Sequence, residues 1–126
     1  MDFQSQTHAA DERDLMGMAR VMSRTKYPRI LGSAALGIAY VAVGRSDAFV
    51  AHYGGLRTFD CVPSMFLLES AGGYLATPGL ELESLDLSSP ARIRLVAAGS
   101  RALMEELLGI LGIGGSAEVR GGRAYR

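Results

Sequence analysis

The chain has 126 residues, 48% of them apolar, which is enough for one domain with a real core and too few for two. Its 13 basic and 13 acidic residues cancel to a formal net charge of +0. That balance excludes binding to nucleic acid or an anionic membrane through bulk charge. Cys61 is the only cysteine, which excludes an internal disulfide and a cysteine-based zinc cluster.

Residues 1–10 read as a flexible polar lead-in. A helix is expected from Asp11, because Asp11, Glu12 and Asp14 crowd a first turn where the helix dipole favours acids. Leu15, Met18, Ala19 and Met22 follow at helical spacing, and Pro28 stops the run. Met16, Met18 and Met22 read as packing rather than as a ligand box. Arg29-Ile30-Leu31 reads as a short strand or extended lead into a second helix, with Ser33 as N-cap and Gly44 as terminator. Asp47–Tyr53 alternates and carries aromatics, so it reads as a strand that Gly54-Gly55 breaks.

A third helix is expected to start near Asp60, with Pro63 tolerated in its first turn and Gly72-Gly73 closing it. Tyr74–Thr77 reads as a strand turning at Pro78-Gly79, and residues 80–90 as a loop with a short element at Leu80–Leu85. Ile93–Ala98 has the strongest strand pattern, and Ser100 caps a last helix carrying Leu103, Leu107, Leu108 and Leu111 on one face. Residues 113–126 read as a Gly-rich tail with a short strand at Ala117–Arg120 and a solvated cluster of Arg120, Arg123 and Arg126. The alternation of helices and strands implies an α/β fold, a layered helix–sheet–helix domain over residues 11–112.

The longest apolar stretch, Ile30–Val43, is too short to span a bilayer. Met1–Gln6 has neither a basic nor an apolar leader region, so a cytoplasmic setting is the default expectation.

Four segments carry candidate chemistry. Small residues at Gly32-Ser33-Ala34-Ala35 leave helix N–H groups open to an anion or a hydroxyl-rich ligand; the plainer account is a cap plus tight packing. Asp60, at a strand-to-helix junction, serves as a cap or offers an oxygen to a hard cation. Asp47, beside a turn, reads as satisfying backbone donors. Cys61 and His52 form a conceivable nucleophile–base pair without a third residue to orient them. Neither His8 nor His52 shows metal-ligand spacing.

In order, these segments resemble the C-terminal half of the inositol monophosphatase and fructose-1,6-bisphosphatase family. Arg29–Leu36 is similar to R-x-x-G-S/T-A-A-L, and Tyr40–Phe49 contains V-A-x-G-x-x-D-A-F/Y. Phe59-Asp60 falls where that family begins W-D-x-A-A-G, Ala71-Gly72-Gly73 ends E-A-G-G, and Val96-Ala97-Ala98 matches its closing strand. The resemblance implies a magnesium-dependent phosphomonoesterase half in which Asp60 binds metal and Gly32, Ser33 and Ala34 line the substrate. The substrate class is a small phosphorylated sugar or polyol. The family's upstream Glu-Glu pair and D-P-I/L-D-G-T motif do not occur here. Phe59 replaces tryptophan, Val62-Pro63-Ser64 replaces A-A-G, Ser70 stands for glutamate, and no acid stands at Ala51 or His52.

Two functions follow from the resemblance. In one, the chain is half of a phosphatase, inactive alone, assigned no catalytic residue of its own, and dependent on magnesium only when a separate N-terminal half completes it. In the other, it is an oligomeric or ligand-binding module that kept the fold and lost the chemistry. Both imply association, as a homo-oligomer or with the N-terminal half, because half of a two-part fold exposes an apolar face.

Overall fold

The computed structural model describes residues 1–3, 12–79, 92–114 and 117–122. In chain order the elements are β1 (Asp2–Phe3), α1 (Glu12–Ser23), α2 (Ala34–Ala42), β2 (Ala48–Arg57), α3 (Thr58–Ser70), β3 (Tyr74–Ala76), β4 (Arg92–Ala98), α4 (Arg101–Ile110) and β5 (Val119–Gly121). The sheet runs β1-β2-β4-β3-β5. β1 pairs with β2 in parallel, and the other neighbours are antiparallel.

Strand alternation sorts the core into two halves. Phe49, Ala51, Ile93, Leu95 and Ala97 pack with Ile38, Val41, Cys61, Met65 and Leu68 of α2 and α3. Ala48, Val50, Val96 and Ala98 pack with Met18 and Val21 of α1 and Met104, Leu107 and Leu108 of α4. The result is three layers, with α2 and α3 on one face of the sheet and α1 and α4 on the other, as the helix–sheet–helix pattern implied.

Local chemistry sets the helix ends. The Ser33 hydroxyl accepts the Leu36 N–H at 3.2 Å, and the Ser100 hydroxyl accepts that of Leu103 at 3.2 Å, so both expected caps form. Gly44 at φ +77° and Gly72 at φ +89° supply the left-handed turns that end α2 and α3.

Several boundaries differ from the sequence reading. β2 continues through Gly54-Gly55 to Arg57. Ala51 pairs with Leu95 and Leu56 with Ile93, so the intervening residues form a bulge that absorbs the glycines instead of ending the strand. α3 therefore starts at Thr58, and Pro63 lies past the first turn with no N–H for the Phe59 carbonyl. In α1 the buried row is Asp14, Gly17, Met18 and Val21, while Leu15 and Met16 face solvent. The helix is rotated so that the Asp14 carboxylate meets Arg94 and His52 against the sheet. Asp2 and Phe3, within the expected lead-in, pair with Phe49 and Val50. The expected short strand near Ala117 is β5, and Arg120 there pairs with Glu69 at 3.1 Å. The element expected at Leu80–Leu85 and the cations Arg123 and Arg126 lie outside the described residues. No helix among the described residues is long and apolar enough to cross a membrane.

The outer surface of the α2–α3 layer is apolar. Leu36, Val43, Phe66 and Leu67 are 43%, 64%, 69% and 47% exposed. Replacing fully buried Leu95 by Ala is expected to lower unfolding stability by about 2–5 kcal/mol. Leu67→Ala on the outer face is expected to stay within about 0.5 kcal/mol. Urea denaturation of the two variants measures the contrast, and equal losses would show that Leu67 is covered in solution.

Candidate functional site

Asp60 occupies the first turn of α3, one residue beyond Phe59 and three beyond Arg57. It is not the N-cap, because that position is Arg57, which makes no side-chain cap bond. The Arg57 guanidinium instead folds over the turn. Its Nε donates to Asp60 Oδ2 at 2.8 Å while its Cζ lies 4.6 Å from the centre of the Phe59 ring. All three side chains are on the surface, with Phe59 54% exposed. The Asp60 carboxylate thus opens to solvent, inside the positive end of the α3 dipole.

α2 begins beside α3. The Ser64 hydroxyl, one turn beyond Asp60, donates to the Ala35 carbonyl at 3.0 Å and ties the two helices at the first turn of α2. Gly32 precedes that turn at φ +78°, and a Cβ built there would meet nothing within 4 Å. Glycine is therefore required by the backbone conformation and not by crowding. Ser33 spends its hydroxyl oxygen on the cap, and Ala34 is buried against the sheet. Exposed Gly32, beside half-buried Ser33, is what this segment offers a ligand.

A resident magnesium does not fit this chain alone. Among the described residues no group of three or more histidine, cysteine, aspartate or glutamate side chains could hold a metal ion. Asp60 offers one carboxylate, already paired with Arg57, whereas magnesium demands near-octahedral oxygen coordination.

The conceivable Cys61–His52 pair is not assembled. Cys61 is buried in the α2–α3 side of the core, and its Sγ lies 3.4 Å and 3.5 Å from the Arg57 and Thr58 carbonyls. Burial, and secondarily the Asp60 charge, push the thiol up to about 12. His52 lies across the sheet against α1, its Nε2 3.6 Å from Asp14 Oδ1, and Arg94 binds the other oxygen of the same carboxylate at 2.5 Å. This buried ionic group fastens α1 to the sheet. It escaped the sequence reading because its members are 38 and 42 residues apart along the chain. The roles of Arg57 and Ser64 were also missed, although the three-residue spacing of Arg57 and Asp60 could have signalled the first.

Comparison with known proteins places this geometry. The model of the inositol monophosphatase family matches residues 3–113, and the chain belongs to that family. It is 41% identical over 97 residues to the fructose-1,6-bisphosphatase/inositol-1-monophosphatase of Methanothermobacter thermautotrophicus, covering 76% of this chain and 33% of that relative. It is 35% identical over 94 residues to the inositol-1-monophosphatase of Mesorhizobium japonicum, covering 75% and 32%. The chain thus spans about a third of the length of the curated relatives it matches. Among solved structures, the inositol monophosphatase from Anabaena matches at a TM-score of 0.68 and 25% identity, covering 89% of this chain and 43% of that one. The extragenic suppressor protein suhB of Bartonella henselae matches at 0.69 and 24%, covering 87% and 40%, which shows the same fold.

The Cys61 environment is directly testable. At pH 8 its thiolate fraction is expected to be about 10³-fold below that of a thiol with the ordinary value of 9.0. Iodoacetamide is therefore expected to label the folded chain at least 100-fold more slowly than the chain in urea. The raised value also fixes a sign for stability. The folded state keeps its proton while the unfolded thiol ionises, so the contribution is intact below pH 9 and is lost as pH rises toward 12. Fast labelling of the folded chain would show that Cys61 is accessible and ionised.

Proposed function

We propose that this chain acts as the C-terminal half of a magnesium-dependent sugar or inositol phosphate phosphatase, inactive alone and completed by a partner chain in a cytoplasmic setting. The observation that carries the reading is the placement of Asp60. Its carboxylate is exposed in the first turn of α3, and Ser64 holds that helix against the Gly32-Ser33-Ala34 start of α2. Asp60 supplies one oxygen ligand to the magnesium of the completed enzyme, with Gly32, Ser33 and Ala34 lining the sugar or polyol side of the substrate. The remaining carboxylates come from the partner, which would carry the Glu-Glu and D-P-I/L-D-G-T motifs that do not occur in this sequence. The apolar outer face of α2 and α3 is the surface that the partner, or a second copy of this chain, covers.

A second reading, a ligand-binding or oligomeric module without catalysis, is favoured by one observation. Arg57 already neutralises Asp60 at 2.8 Å and stacks on the Phe59 that replaces the family's tryptophan.

The test mixes this chain with a polypeptide carrying the Glu-Glu and D-P-x-D-G-T motifs and measures magnesium-dependent phosphate release from inositol monophosphate and fructose 1,6-bisphosphate. The mixture is expected to be active where each chain alone is not, and Asp60→Asn to lower its rate at least 100-fold. Equal rates for Asp60→Asn and the parent mixture would remove Asp60 from the metal site. A mixture that forms a complex and releases no phosphate would leave the module reading. Light scattering of this chain alone is expected to show a dimer or larger species, and a monodisperse monomer would contradict an association-prone outer face.

A further inference from the structure

A cavity of about 570 Å³ lies on the α1–α4 side of the sheet, away from Asp60. It is walled by the end of α1, the α1–α2 connection, the turn between α2 and β2, and α4. Its volume is that of a small-molecule site, about 300–1,000 Å³. The floor is apolar, with half-buried Leu103 and Ile110 presenting surface to it above the fully buried Val21 and Leu107. The rim is cationic, with Arg24, Lys26 and Arg29 reaching it from the α1–α2 connection and Arg45 from the turn between α2 and β2.

Among the described residues, none of these four cations has a carboxylate within ion-pair distance. The walls also carry Asp47 and Glu106, so four side-chain cations face two side-chain acids, an excess of +2 among side chains. The C-terminal ends of α1 and α2 attract cations, but each supplies only about half a negative charge. Helix ends therefore offset roughly half of the excess, and they do not explain why the cations surround an apolar floor. The Tyr27 ring is exposed at the same rim, with Lys26 Nζ 5.3 Å from its centre.

We propose that this cavity binds an organic phosphomonoester carrying a flat apolar group. The phosphate sits among the arginines, whose planar forks match its oxygens, and the apolar group lies on Leu103 and Ile110 beside the Tyr27 ring. The site needs no metal and stands independently of the function proposed for Asp60.

Titration calorimetry of the full chain in EDTA, with phenyl phosphate, inorganic phosphate and phenol as separate probes, tests this. Phenyl phosphate is expected to bind saturably, at least tenfold more tightly than inorganic phosphate and more tightly than phenol. Arg45→Gln, and Arg29→Gln with Arg45→Gln, are expected to weaken it at least tenfold, while Asp60→Asn leaves it unchanged. Both arginines are exposed, so the variants are expected to unfold at the parent's midpoint. Absence of saturable phenyl phosphate binding, affinity retained in the double variant, or loss of binding in Asp60→Asn would each overturn the proposal. Equal affinities for phenyl and inorganic phosphate would overturn the role of the apolar floor.

Discussion

The structure depends on a pair of strands buried on both faces. β2 and β4 run antiparallel through the middle of the sheet, and their ladder satisfies the backbone amides that burial would otherwise leave without water. This frees their side chains to be apolar in both directions. Ile93, Leu95 and Ala97 point to α2 and α3, while Val96 and Ala98 point to α1 and α4. Each fully buried aliphatic side chain contributes about 1.5–3 kcal/mol. Alanines at 48, 51, 97 and 98 let helices approach closely from both sides.

The two helix layers are not equivalent. α4 turns Arg101, Glu105 and Glu106 to solvent, the ordinary amphipathic solution for a surface helix. α2 carries no charged residue at all, its outward positions include Leu36 and Tyr40, and its C-cap Val43 is exposed. A helix that is apolar all round belongs between two layers. α3 repeats the pattern with Phe66 and Leu67. The layer that holds Asp60 is therefore built like the interior of a larger assembly, while the layer on the other face of the sheet is finished toward water.

Legibility in the sequence followed the range of the interactions involved. The caps Ser33 and Ser100 and the terminators Gly44 and Gly72 act within a few residues, so pattern alone located them. The continuation of β2 through Gly54-Gly55 was hidden because it depends on the flanking Ala51 and Leu56 pairing with β4, some forty residues further along. The rotation of α1 was hidden for a similar reason. An acid in a first turn reads as a solvated dipole partner, and its burial at Asp14 is supported by Arg94 and His52 across the sheet. Of the candidate site, the position of Asp60 was legible from motif order. Its neighbours were not, since Ser64 reaches Ala35 across 29 residues.

The pairing of Asp60 with Arg57 bears on what the carboxylate can still do. Both groups are largely open to solvent, and exposed ion pairs contribute only about 0–1 kcal/mol. A hydrated divalent cation framed by further carboxylates is a much larger local charge than one screened guanidinium. The pair is therefore weak enough to yield to a metal in a completed site. The Phe59 ring beneath Arg57 gives the guanidinium a resting place on the same helical turn. The Arg57 pair, which favours the module reading, is therefore too weak to exclude a working half-site. That choice rests on whether other carboxylates arrive at the exposed edge of α3.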